Sequence, residues 1–173
     1  MQIEISLDLD GTVVEFENHY ISKFGVPKSD LEISKNVSGV LMKDRDFWLS
    51  QPLINTPNFI PKCYCTARLI KKDWIKKQLM LNNLPKAPIY QVFGYNLSKA
   101  PQLKRANIHC HIDDSLSVFK DLNSKGIPCL LLDSPNNKEW GPVGRIYSLE
   151  YEEIEESFYL FKETLFPFFK ELL

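Results

Sequence analysis

The sequence predicts an α/β protein, a Rossmann-like three-layer sandwich with a central parallel sheet. Three observations lead there. Short apolar segments alternate with amphipathic helical segments from residue 59 to 132, the pattern of parallel strands joined by crossover helices. Ile127–Leu132 is almost continuously apolar, as a strand buried on both faces requires. The chain has 173 residues, 44% of them apolar, which suffices for one core without disulfide or metal staples.

Each element has its own signal. Ile3–Leu9 alternates apolar and polar residues and stops at Asp10-Gly11, a strand ending in a turn. From Val14 to Phe24, Phe16, Tyr20 and Phe24 fall four apart on one helical face. Pro27 ends that pattern, and Ser29-Asp30 offers the cap of a further helix. Asp44–Leu49 reads as a short helix ended by Pro52. Phe59–Cys65 reads as the second strand, with Pro61 limiting its start. Leu69–Leu84 is helical: Ile70, Trp74 and Gln78, then Ile75 and Leu79, recur at helical spacing before Pro85. Pro88–Phe93 reads as a strand, Lys99–Arg105 as a short helix and Asn107–Ile112 as another strand. Ser115–Lys125 has Ser115 as N-cap, Leu116, Phe119 and Leu122 facing inward, and Gly126 as its stop. Asp133–Gly144, rich in Pro, Asn and Gly, reads as a loop. Glu150–Leu173 reads as a terminal helix packed on the sheet through Ile154, Phe158, Phe161, Leu165 and Phe168, bent at Pro167.

Charge and composition narrow the function. Lys and Arg number 21 against 22 Asp and Glu, and a balance so near neutral argues against a nucleic-acid partner. Lys71, Lys72, Lys76 and Lys77 cluster, but their helical spacing describes a solvated face. No apolar run reaches the roughly 18–20 residues of a membrane span. The acids in MQIEISLDLDG do not suit a signal peptide, and the Glu-rich face of the terminal helix would be repelled by anionic lipid. A soluble, cytoplasmic protein with no membrane partner is expected. Cys63, Cys65, Cys110 and Cys129 raise the question of zinc, together with His109 and His111. Neither Cys63-Tyr64-Cys65 nor His109-Cys110-His111 has the spacing of a zinc knuckle. Both lie in β-like apolar runs, and buried free thiols in a reducing compartment fit better.

Four polar signals stand at the ends of predicted strands, where α/β sheets gather ligands. Asp8 and Asp10 flank Leu9 ahead of Gly11-Thr12; a calcium loop there would need a Glu where His19 stands. Thr66, followed by Ala67 and Arg68, offers a hydroxyl where a strand enters a helix, suited to a phosphate oxygen or to a plain N-cap. Lys99 falls near a helix start, where a cation opposes the helix dipole and a bound anion explains it better than local structure. Asp113 and Asp114 are adjacent acids whose repulsion a divalent cation would offset, although Asp114 can also cap the next helix. No Gly-x-Gly-x-x-Gly follows the first strand, so dinucleotide binding has no support.

Taken together, these residues resemble those of haloacid dehalogenase superfamily phosphatases. The resemblance rests on Asp8-Leu9-Asp10-Gly11-Thr12, on Thr66 in CYCTAR, on Lys99 in LSKAPQLK and on Asp113-Asp114 in HIDDS, and covers residues 3 to about 132. It implies Mg²⁺-dependent hydrolysis of a small phosphorylated substrate through an aspartyl-phosphate. Asp8 would be the nucleophile, and Asp10 would protonate the leaving oxygen and later deprotonate water. Asp8, the backbone carbonyl of Asp10, and Asp113 would hold Mg²⁺, with Asp114 assisting through water. Thr66 and Lys99 would bind phosphoryl oxygens; Lys104 competes for the lysine role but lies within a helix, facing outward with Arg105. The second acid, Asp10, separates phosphatases from the dehalogenases of the superfamily.

The resemblance also implies a small helical cap inserted after the first strand, at residues 14–54, with residues 1–13 and 55–173 as the core domain. Phe47-Trp48-Leu49-Ser50-Gln51-Pro52-Leu53 is similar to the Phe-Trp-x-x-Leu-Pro element of 5′(3′)-deoxyribonucleotidases, with Gln51 where that element has Leu. A nucleoside monophosphate is the substrate this implies, with Phe16, Tyr20, Phe47, Trp48 and Arg68 as candidate contacts, since aromatic rings can stack a base. Another small ester, such as a sugar phosphate or a nucleic-acid 3′-phosphate end, is the alternative. A non-catalytic phosphate-binding protein on the same fold is a third reading.

Overall fold

The structure, a computed structural model, describes residues 2–25, 39–93 and 98–171; the helix cap expected at Ser29-Asp30 lies outside them. Six strands, β1 (Ile5–Leu7), β2 (Cys63–Thr66), β3 (Ile89–Gln91), β4 (Cys110–Asp113), β5 (Cys129–Leu132) and β6 (Arg145–Ile146), form one sheet. Their order is β3-β2-β1-β4-β5-β6, and every pairing is parallel. The fold is therefore the α/β sandwich that the alternation predicts. The described helices are α1 (Glu17–Phe24), α2 (Arg45–Leu49), α3 (Lys72–Leu81), α4 (Ala100–Ala106), α5 (Leu116–Ser124) and α6 (Tyr151–Thr164); α2 packs on α3, and α4, α5 and α6 pack on the strands.

From β1 the chain runs outward to β3, then returns to lay β4 against the other side of β1. The two halves progress in opposite directions from β1, and the right-handed rule for parallel crossovers then assigns α3 and α5 to opposite faces of the sheet. Both faces of the central strands are then covered. Every residue of β1, β2, β4 and β5 is buried, as such a sheet demands.

Local chemistry sets the ends of the elements. Val14 bridges Asp10 and Leu53, so α1 begins only at Glu17, and Gly25 closes it at φ 75°. Asp44 caps α2 by accepting from the Phe47 N–H at 2.9 Å. Asn83 and Asn107, both at positive φ, follow α3 and α4. All four cysteines are buried and free, and burial pushes the Cys63 and Cys65 thiols up to about 11 and about 12.

The loop expected at Asp133–Gly144 holds one short 3₁₀ turn, Pro135–Asn137, and just beyond it Arg145–Ile146, to which the sequence assigns no element, adds a sixth strand; two residues among Pro and Gly carry no periodic signal. One expectation needs correction. The terminal helix does not continue through Phe168. It gives way at Leu165 to a 3₁₀ segment, Phe166–Glu171, and the tighter turn shifts the buried phase by one residue. Phe169 is fully buried while Phe168 is 57% exposed. No described helix is long and apolar enough to cross a membrane.

Candidate active site

The strand order reverses between β1 and β4, and the crevice at such a reversal opens beyond the C-terminal strand ends. Asp8 directly follows β1, and Asp113 closes β4. The Asp8 N–H donates to the Ile112 carbonyl at 3.0 Å, holding the two strand ends side by side. Lys99 stands just ahead of α4, and its Nζ donates to Asp8 Oδ1 at 2.5 Å and to Asp113 Oδ2 at 2.6 Å. Two carboxylates thus explain a cation at that helix start. Lys104, the competing lysine, is exposed on α4 and takes no part in this group.

Asp113 is held from several sides. Its Oδ1 accepts from the Ser115 N–H at 2.9 Å, and its Oδ2 lies 3.1 Å from His111 Nε2. His111 Nδ1 in turn lies 2.7 Å from Ser6 Oγ. Burial keeps the His111 pKa below its ordinary value, and the contacts suit an Nε2–H donating to Asp113 while Nδ1 accepts from Ser6.

The charges do not balance. Burial raises Asp8 to about 7 against the pull of Lys99, with Asp113 and Asp10 adding to the rise. Burial, then Asp113 and Asp8, raise Asp114 to about 8. For Asp113 burial also pushes upward, but Lys99 and His111 outweigh it and hold the carboxyl at about 2. Burial opposes the Lys99 charge, yet Asp113 and Asp8 more than restore it, so the ammonium stays protonated.

One ammonium therefore serves three acids. Asp8, Asp113 and Asp114 each offer an oxygen within 4.8 Å of the others. Gly11, at φ 78°, makes room for the third: a Cβ there would lie 2.1 Å from Asp114 Oδ2. An all-oxygen donor set with surplus negative charge fits a hard divalent cation such as Mg²⁺. The Asp10 side chain is outside this group and turns toward Arg68.

Arg68, two residues beyond the end of β2, is buried. Its Nε and Nη2 grip Asp10 Oδ2 and Oδ1 at 2.8 and 2.7 Å. Nη2 also donates to Gln51 Oε1 at 2.8 Å, Nη1 donates to Gln78 Oε1, and the guanidinium lies 5.0 Å from the Trp48 ring centroid. Arg68 thus faces the acid rather than open solvent. Thr66 ends β2 beside β1, fully buried, with its hydroxyl accepting from the Arg68 N–H at 3.4 Å.

A cleft of about 440 Å³ opens beside the acids, lined by Asp10, Gly11, Phe16, Asn55, Asp114 and Asn136 among others. Of the expected substrate contacts, Phe16 lines it, as does the expected proton-transfer residue Asp10. Tyr20, Phe47 and Trp48 are interior residues, with the Phe16–Tyr20 and Phe47–Trp48 ring centroids 5.8 and 5.3 Å apart. The Trp48 indole N–H donates to the Leu41 carbonyl at 2.8 Å.

Several supporting residues escape sequence reasoning. Asn137, in the loop after β5, donates to the carbonyls of Asp114 and Leu132, both at 2.8 Å, and so braces the acid pair. Ser6, Gln78 and Asn137 carry no motif. His111 is visible only as half of an unconvincing zinc pair, and Gln51 only as a departure from the Phe-Trp-x-x-Leu-Pro element. The chain matches no protein-family model. No curated protein matches it significantly either.

Proposed function

We propose that the protein is a Mg²⁺-dependent phosphatase of the haloacid dehalogenase type, hydrolysing a small phosphomonoester through an aspartyl-phosphate. The observation that carries the reading is the buried Asp8–Lys99–Asp113 group at the strand-order reversal, with Asp114 against Gly11. A phosphate dianion repels a carboxylate nucleophile unless cations offset the charge; Lys99 is one such cation, and the adjacent carboxylates are candidates to hold a second. A structural role alone would not require a third acid, Asp114, beside the two that already share the Lys99 ammonium.

The residues divide the work. A carboxylate oxygen of Asp8 attacks phosphorus, the ester P–O bond breaks, and the alcohol departs with a proton from Asp10. Water then attacks the phosphoryl group on Asp8 and gives its proton to Asp10, which releases phosphate and restores both carboxyl groups. Lys99 draws charge from the phosphoryl oxygens, and the Thr66 hydroxyl is the second candidate to hold them. Asp8, Asp113, Asp114 and the Asp10 carbonyl are the ligand candidates for Mg²⁺, which when bound would supply positive charge to the phosphoryl oxygens.

A nucleoside monophosphate is the favoured substrate class, since the cleft is of small-molecule size and Phe16 lines it. The interior placement of Phe47 and Trp48 favours the second reading, another small ester such as a sugar phosphate. Four buried free thiols support a cytoplasmic setting. The test is phosphate release from p-nitrophenyl phosphate, each deoxynucleoside monophosphate and several sugar phosphates, with Mg²⁺ and with EDTA. Release with Mg²⁺ and none with EDTA is expected, and nucleotides should lead the panel. Failure to hydrolyse any ester would leave a phosphate-binding protein without catalysis.

A further inference from the structure

We propose that Arg68 and Gln51 are positioning residues for Asp10, tying the orientation of that carboxylate to the chain segment that returns from the predicted cap. The proposal rests on the hydrolase reading above, in which Asp10 moves the protons. A buried guanidinium is costly unless its donors are paired. The Arg68 side chain is 1% exposed, and its pairing comes from three parts of the chain.

Asp10, in the turn after β1, takes two parallel bonds from Nε and Nη2. Gln78, on α3, takes Nη1. Gln51, just beyond the C-cap of α2, takes a further bond from Nη2. Gln51 closes the network: its Oε1 also accepts from Gln78 Nε2 at 2.8 Å, and its Nε2 donates to Asp10 Oδ1 at 3.3 Å. The Gln91 amide donates to the Arg68 and Ile70 carbonyls at 3.0 and 2.8 Å and so fixes the backbone that carries the guanidinium.

The consequence is geometric. Two charge-assisted bonds allow the Asp10 carboxylate one orientation, and turning it would break both together. The held carboxylate is not sealed away: its side chain is 27% exposed and lines the cleft. A purely structural ion pair would have no need to present its anion there. Gln51 precedes Pro52, whose carbonyl accepts from the Glu15 N–H at 2.8 Å, and the Ile54 and Asn55 N–H groups donate to the Val13 carbonyl at 3.0 and 3.3 Å, so the returning segment is joined to the chain after Asp10 at several points. Displacing that segment moves Gln51 and loosens the Arg68 grip.

The test separates positioning from folding. Gln51→Leu, Arg68→Lys and Asp10→Asn would be compared with wild type in single-turnover assays on an alkyl phosphate and on p-nitrophenyl phosphate, after circular dichroism confirms the fold. The alkyl alcohol needs a proton to leave, whereas p-nitrophenolate does not. Gln51→Leu and Arg68→Lys should each lose about ten- to a hundredfold on the alkyl ester and far less in the p-nitrophenolate burst. Neither should cost more when added to Asp10→Asn. Equal losses on both esters, or full further losses in the Asp10→Asn background, would overturn the proposal. Arg68→Lys keeps it testable if a leucine beside Arg68 prevents folding. A wild type inactive on both esters would overturn the hydrolase reading and the positioning role with it; an active wild type with additive variants would overturn the positioning role alone.

Discussion

Asp8 and Asp114 are more easily kept protonated in the folded chain than in water, with pKa values of about 7 and about 8 against an ordinary 3.8. Between these limits the native state binds more protons than the unfolded state, so the metal-free protein should lose stability as pH rises from about 4 to about 8. Asp113 has the opposite sign: held at about 2, it contributes stability above about pH 4 that is lost as pH falls toward 2. A divalent cation binds carboxylates in their ionised form, so Mg²⁺ should raise the melting temperature more at about pH 8 than at about pH 6. Thermal unfolding with and without Mg²⁺ at both values checks this, and equal increments would contradict it. Lysine choice gives a second residue-scale prediction. Lys99→Ala should raise KM and lower kcat at saturating Mg²⁺, while Lys104→Ala stays near wild type; steady-state kinetics showing the reverse would move the role to Lys104. Asp8 and Asp113 were legible because acids at strand ends are conspicuous, and Lys99 because a cation at a helix start opposes the dipole. Arg68 was legible only as a candidate substrate contact, because its partners, Asp10, Gln51 and Gln78, lie far apart in sequence.

At the scale of elements, the periodic signals carried furthest where burial is one-sided and regular. α5 and α6 bury the residues that helical spacing selects, Phe119 and Leu122 in one, Ile154, Phe158 and Phe161 in the other. Strand ends were less legible: Ile3 and Leu9 are buried like strand residues but lie outside the β1 ladder. Burial is set by the surrounding core, whereas a strand ends where its ladder hydrogen bonds end. The 3₁₀ segment after α6 has a direct energetic consequence. Phe169 packs against Phe119 and Phe161 at centroid distances of 5.3 and 5.8 Å. Phe169→Ala should therefore cost about 3–5 kcal/mol of stability, and Phe168→Ala should stay within about 0.5 kcal/mol. Urea denaturation of the two variants measures both; a larger loss at Phe168 would restore the uninterrupted helical phase.

For the molecule as a whole, the strand order turns scattered residues into one site. Asp8, Thr66, Lys99 and Asp113 span more than a hundred positions, yet a parallel sheet puts every strand's C-terminal end on one edge. The reversal between β1 and β4 then places Asp8 and Asp113 on neighbouring strands. Alternation of strands and helices made the parallel sheet legible. Strand order was not, because nothing local in Cys110–Asp113 says that it lies beside Ile5–Leu7 rather than beside Ile89–Gln91. The central claim is that this edge performs phosphoryl transfer onto Asp8. Acid quenching during turnover with Mg²⁺, followed by peptide mass spectrometry, tests it most directly. The account predicts a phosphoryl adduct on Asp8 in the wild type and none in Asp8→Asn, which should also lose turnover. Rapid phosphate release by Asp8→Asn, or an adduct on another residue in the wild type, would contradict it.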